Sequence, residues 1–226
     1  MSRFNHVSFF RRWTVAVPTT GALGASLLAA LAGCSSGPSR VTPPSISPSG
    51  AASEAMTSYD KDGDGFIAGA ELDGAPSLKA AMTTLDLDQD GKVSESEIEQ
   101  RIEAWQATKT GLTAITCRVT LDGKPLPDAV VTFEPEAFLG DGVKVASDTT
   151  TALGMVEPTI AKEDRPGKDW PPGIQYGFFR IKVSKQSGGT ETIPAKYNSA
   201  TTLGQQVAKD DPAILSQLVK IDLKSK

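Results

Sequence analysis

The chain has 226 residues, 39% of them apolar and 22% charged, with a formal net charge of −4; this balance suits one or two globular domains and excludes a wholly disordered chain. His6 is the only histidine, and Cys34 and Cys117 are the only cysteines. That excludes a disulfide framework and, past the first residues, Ser-His-Asp or Cys-His catalysis and imidazole-bound metals. No strongly basic patch points to nucleic acid.

Residues 1–33 carry Arg3, Arg11 and Arg12 and no acid, followed by the apolar, small-residue run Gly21–Ala32. This run falls short of the roughly 20 residues that a membrane-spanning helix needs, and it has the form of a secretory signal. It ends in Leu31-Ala32-Gly33-Cys34, which resembles the lipobox of bacterial lipoproteins. The resemblance implies a diacylglyceryl group on the Cys34 thiol, cleavage just before it, and an exported chain held by lipid at the bacterial cell envelope. An ordinary signal peptide with an incidental cysteine is the alternative. Arg11-Arg12 raises twin-arginine export, although Trp13-Thr14 departs from that pattern. Ser35, by analogy with other lipoproteins, is compatible with sorting to the outer membrane.

Residues 34–53 then read as the lipid anchor and a flexible Ser/Pro/Gly linker with no apolar period. Extended at about 3.1 Å per residue, residues 35–53 would reach roughly 60 Å. Beyond them the charge changes abruptly: residues 54–108 hold thirteen acids and four bases, whereas 109–226 hold fourteen acids and fifteen bases. Such a step predicts a domain boundary.

The acidic segment contains two twelve-residue stretches, Asp60–Glu71 and Asp86–Glu97, that both match D-x-[DN]-x-[DN]-G-x5-E, the EF-hand calcium loop. Calcium is a hard cation that takes six to eight oxygens. Asp60, Asp62 and Asp64, and likewise Asp86, Asp88 and Asp90, offer carboxylates at positions 1, 3 and 5. Gly65 and Gly91 permit the turn at position 6, the carbonyls of Phe66 and Lys92 face the ion at position 7, and Glu71 and Glu97 close the cage. At position 9, Ala68 leaves room for water, while Ser94 binds directly or through water. Ser94 and Glu97 also fit a helix capping box, from which calcium would claim Glu97.

The flanks are helical in pattern. Met56 and Tyr59 share a face before the first loop, Leu78, Ala81, Met82 and Leu85 follow helical spacing between the loops, and Ile98, Ile102 and Trp105 follow it after the second. Gly74-Ala75-Pro76 limits the first exiting helix to about one turn. Ile67 and Val93, both at position 8, are placed to join the loops through a short β-ribbon. The short helix and the presence of only Met56 and Met82 favour a structural or buffering site over a sensor that opens a Met-rich groove.

From residue 112 the apolar period becomes two: Ile115, Cys117, Val119, Leu121; then Ala129, Val131, Phe133; later Phe179, Ile181, Val183; finally Val219, Ile221, Leu223. Asp122-Gly123 is a hairpin signal. Residues 112–226 therefore read as an antiparallel β-sandwich, and the chain as an α+β multidomain protein in which a small α-helical EF-hand pair precedes that sandwich. CRVTLDGKPLPDAVVTFEPE, PPGIQYGFFRIKVSK and IPAKYNSATT resemble, in order, bacterial carboxypeptidase-regulatory-like domains of transthyretin type. Gly177-Phe178 after Tyr176, and Leu153-Gly154-Met155 in place of the usual D-x-G-x-F turn, depart from that pattern and suggest a bulge and an altered loop. The resemblance implies an accessory or binding domain without catalysis.

Cys117, among alternating apolar residues and without an activating neighbour, reads as a small buried hydrophobe rather than a nucleophile. Trp170, in the charged Pro-rich loop 164–173, either packs beneath that loop or stacks on a sugar ring or a partner protein. Together these features predict a lipid-anchored, calcium-binding envelope protein with two Ca²⁺ sites. Its role would be structural, adhesive or ligand-binding, and its partners the membrane through Cys34 and an envelope protein or polysaccharide. The alternatives are an extracellular calcium sensor and, more remotely, a carboxylate-based enzyme acting on glycosides.

Overall fold

The computed structural model describes residues 41–165 and 170–226. The leader, Cys34 and the centre of the loop before Trp170 lie outside these residues. The described chain is a mixed α+β structure with one shared hydrophobic core.

Helix α1 spans Pro48–Tyr59, capped by the Ser47 hydroxyl, which accepts from the Gly50 N–H, with Pro48 in the first turn. Strand β1 (Phe66–Ile67) and the one-turn helix α2 (Ala70–Gly74) follow, then α3 (Pro76–Leu85), β2 (Val93–Ser94) and α4 (Glu95–Ala107). The expected break at Gly74-Ala75-Pro76 thus falls between α2 and α3. Leu78, Ala81 and Leu85 of α3, and Ile98, Ile102 and Trp105 of α4, are buried as their spacing predicts.

The second half begins with β3 (Cys117–Leu121) and β4 (Lys124–Pro125), joined at Asp122 and Gly123, whose φ angles of 52° and 80° suit a primed hairpin turn. Then come β5 (Val130–Pro135), β6 (Ala146–Thr149), β7 (Met155–Val156), β8 (Thr159–Ile160), β9 (Gly177–Ser184), β10 (Gln186–Ser187), β11 (Thr190–Glu191), β12 (Leu203–Val207), a short helix α5 (Pro212–Leu215) and β13 (Val219–Leu223). One sheet is antiparallel throughout, in the order β12-β9-β5-β6-β8; a second runs β13-β3-β4, with β7 also on β3.

Three expectations need correction. First, β13 runs parallel to β3, with Val219 opposite Cys117 and Leu223 opposite Leu121. No hairpin links these two strands, so no turn imposes antiparallel pairing, and apolar alternation alone sets the register. Second, no bulge follows Tyr176: β9 pairs with β12 in continuous register from Gly177 to Ile181. Third, residues 41–53 are not a free linker. Residues 48–53 are helical, and Ile46 is buried with its carbonyl accepting from Gln106 Nε2 at 2.6 Å. The strap 41–45 runs so close to the body that a Cβ on Gly111 would collide with the carbonyl oxygens of Val41 and Thr42. A Cβ on Gly142 would lie 2.8 Å from that of Ser45.

The predicted boundary near residue 108 is also not a gap between bodies. The helices cover one face of the five-stranded sheet. Trp105 of α4 lies on Phe178 of β9 with ring centroids 4.7 Å apart, and a Cβ on Gly204 of β12 would clash with the backbone of Pro76 in α3. Phe178, which alternates with the Phe179, Ile181 and Val183 set, is fully buried, as is Phe179 on the opposite face. Arg101 of α4 donates from Nε to Gln206 at 2.6 Å and makes a two-pronged ion pair with Asp210 at 2.8 and 2.7 Å. Gln206 in turn donates to Thr84 of α3 and to Asp211.

Two outcomes test this arrangement. Gly111→Ala should lower stability in urea melts by about 1–3 kcal/mol, the usual cost of overpacking; after removal of residues 41–47 the same substitution should cost far less. The hydrogen bonds from Arg101 hold the Asp210 carboxyl below its ordinary value of 3.8. Asp210 therefore contributes stability at pH values above about 3.8 that is lost as pH falls through its depressed native value. Its exposure keeps the effect small, so Asp210→Asn should make the acid limb of the stability profile slightly shallower.

Candidate metal centre

In each loop the chain must turn sharply while three of its four carboxylates converge. Positive φ at positions 4 and 6 makes the turn: Gly63 at 75° and Gly65 at 87° in the first loop, Gln89 at 63° and Gly91 at 79° in the second. Backbone N–H groups then hold the acids, and the two loops use the same pattern. The position 1 carboxylate accepts from position 6, as Gly65 donates to Asp60 at 3.0 Å and Gly91 to Asp86 at 2.9 Å. Position 3 accepts from position 5, where Asp64 donates to Asp62 at 3.0 Å and Asp90 to Asp88 at 3.2 Å. Position 5 accepts from position 7, with Phe66 donating to Asp64 at 2.9 Å and Lys92 to Asp90 at 2.8 Å.

The closing glutamates complete the match. Glu71 accepts from the N–H groups of Lys61 at 2.5 Å and Ala68 at 3.0 Å, and Glu97 from those of Leu87 and Ser94, both at 2.8 Å. The Ala68 N–H, followed by that of Lys61, holds the Glu71 carboxyl below its ordinary range. Strands β1 and β2 tie the loops into one unit through Ile67 opposite Val93 and Phe66 opposite Ser94. The Lys92 ammonium sits 4.5 Å from the Phe66 ring centroid and 3.8 Å from Asp64.

Carboxylate oxygens of Asp60, Asp62 and Glu71 lie within 4.8 Å of one another, and so do those of Asp86, Asp88 and Glu97. Oxygens coordinating calcium at about 2.4 Å can be at most about 4.8 Å apart across the ion. Both groups fit that sphere, and every donor is a hard oxygen. The paired groups hold positions 1, 3 and 12; Asp64 and Asp90, at position 5, stand outside them.

No protein-family model matches this chain, and no curated protein matches it significantly.

The loops differ at position 9. The Ser94 hydroxyl accepts from the Glu97 N–H at 3.3 Å and the Ser94 N–H donates to Glu97 Oε2 at 2.8 Å, forming the capping box of α4, and the hydroxyl also donates to Oε2 at 2.8 Å. The cap engages Oε2 of Glu97, and the Leu87 N–H engages Oε1. The first loop has Ala68 there, followed by Gly69 at φ 50°, and α2 begins without a side-chain cap.

Other residues fall as follows. Cys117 is buried in β3, and burial pushes its thiol up to about 12, which makes it a poor nucleophile. Trp170 is half-buried, and its carbonyl accepts from Arg165 at 3.3 Å. One group of residues escaped the sequence reading: Glu136, 3% exposed, accepts from the hydroxyls of Tyr59 and Ser77, both at 2.6 Å, and from Arg180 Nε at 3.4 Å. Burial and then the Glu136 bond push the Tyr59 hydroxyl up to about 12, so it remains a donor at neutral pH. Nothing in the local spacing of Glu136 marks it, since its partners are 44 to 77 residues away.

Ser94→Ala should destabilise the chain by about 0.5–2 kcal/mol in urea unfolding, the range for loss of a helix cap, whereas Ser94→Thr should retain most of that stability.

Proposed function

We propose that this chain is a calcium-binding protein of the bacterial cell envelope, anchored by lipid on Cys34, with a structural, adhesive or ligand-binding role and no catalysis. The observation that carries this reading is the pair of three-carboxylate groups at equivalent positions of two loops joined by one ribbon. On it we read residues 60–97 as an EF-hand pair, with Phe66 and Lys92 adding their carbonyls, and the two sheets as the layers of a transthyretin-like sandwich.

Bound calcium would supply the charge neutralisation that lets the acids stay crowded. The chain's part is orientation: backbone N–H groups fix the carboxylates in place, through both oxygens of Asp60, Glu71, Asp86 and Glu97 and through one oxygen of Asp62, Asp64, Asp88 and Asp90. The first six residues of each loop supply most ligands, and Glu71 and Glu97 bring the following helices to the ion. A fixed site is favoured over a sensor because the surrounding helices are committed to other contacts. Trp105 packs on Phe178, Arg101 pairs with Asp210 and Gln206, and α3 lies against β12. A large opening of the hands would break all three.

Titration calorimetry with calcium should give two sites. Glu71→Gln and Glu97→Gln should each remove one of them, and calcium should raise the melting temperature of the unaltered chain by mass action. Unchanged binding with both glutamates replaced would overturn the proposal.

A further inference from the structure

The two loops are not equally self-supporting. Glu97 opens a thirteen-residue helix and is held by the Ser94 cap, whereas Glu71 lies in a five-residue helix with no cap. An isolated turn of helix fixes many dihedrals for few hydrogen bonds and does not persist alone. The first loop therefore needs support from elsewhere, and the five-stranded sheet reaches both of its flanks. Tyr59 immediately precedes Asp60, and Gly74 follows Glu71 by three residues. One nitrogen of Arg180, Nη2, donates to the Tyr59 hydroxyl at 3.3 Å and to the Gly74 carbonyl at 2.7 Å. The Gly74 carbonyl is at the C-terminal end of α2, where a cation is electrostatically favourable. Glu136 holds the other side of this bridge by accepting from both Tyr59 and Arg180.

We infer that Arg180 and Glu136 are positioning residues for the first calcium loop, and that this site draws its affinity from the sheet while the second draws its own from the capped α4. The inference rests on the calcium reading above. Arg180 touches no ligand of the ion. It fixes the spacing between the chain segments that enter and leave the loop, so Glu71 is held facing Asp60 and Asp62 before the ion arrives. In this view the acidic helical segment is not a self-contained module, because one of its two sites is completed by residues more than 60 positions downstream in sequence.

The test uses the full-length chain in two backgrounds: Glu97→Gln, which leaves the first site, and Glu71→Gln, which leaves the second. Calcium affinity is measured in each by calorimetry. Arg180→Met should weaken the first site about tenfold or more, the usual scale for loss of a partner that orients metal ligands, and change the second by less than about twofold. Arg180→Lys should not rescue, because a single ammonium lacks the planar fork that holds Glu136, Tyr59 and Gly74 together. Ile221→Ala, in β13, controls for lowered stability alone: it should depress the melting temperature without separating the two sites. Equal weakening of both sites by Arg180→Met, or selective weakening of the first by Ile221→Ala, would overturn this inference and leave the calcium function standing. Loss of calcium binding from the unaltered chain would overturn both.

Discussion

The sheet face that carries Phe178, Arg180, Gly204 and Gln206 is where the two halves of this protein become one. A helix can lie close to a strand only where side chains are small, and Gly204 leaves Pro76 of α3 room to approach. A polar group buried between such layers is costly unless it is paired. Glu136 meets that condition with three donors and Arg101 with three hydrogen bonds to Gln206 and Asp210. These bonds are directional, whereas the apolar contacts around Trp105 and Phe178 supply burial without fixing orientation. Together they set how the helices, and hence the loops between them, stand on the sheet.

That orientation matters because the loops carry an internal electrostatic conflict. Each crowds four carboxylates into twelve residues, and like charges at that spacing repel. Backbone N–H groups offset part of the repulsion at fixed positions, and the same donor-to-acceptor pattern recurs in both loops. The remaining repulsion is borne by the flanking helices, which must not splay. In the second loop a long, capped helix resists splaying from within. The first loop, with one turn of helix, depends on contacts made from the sheet.

Legibility in the sequence follows the range of the interactions concerned. The turn and carboxylate geometry of the loops could be read because the spaced acids, turn glycines and closing glutamates all fall within twelve residues. The buried faces of α3 and α4, and the strands around Val119, Phe133, Ile181 and Ile221, could be read because periodicity is local. The start of α1 carried its own signals, Ser47 as cap and Pro48 in the first turn, but the Ser, Pro and Gly content of 35–53 concealed them. Ala51, Ala52 and Ala55 are small because they are packed closely, not because the segment is a spacer. The burial of Phe178, the parallel pairing of β13 and the partners of Glu136 depend on segments distant in sequence, and no spacing rule reaches them.

The docked strap also bears on the reach of the proposed anchor at Cys34. With Cys34 as the lipidated residue, a spacer running to residue 53 would allow roughly 60 Å of reach. The docked strap reaches back at least to Val41, and the seven steps from Cys34 to Val41 could cover at most about 25 Å when fully extended. If Cys34 is lipidated as proposed, a tether of that length would hold the folded body closer to the lipid than a spacer running to residue 53 would.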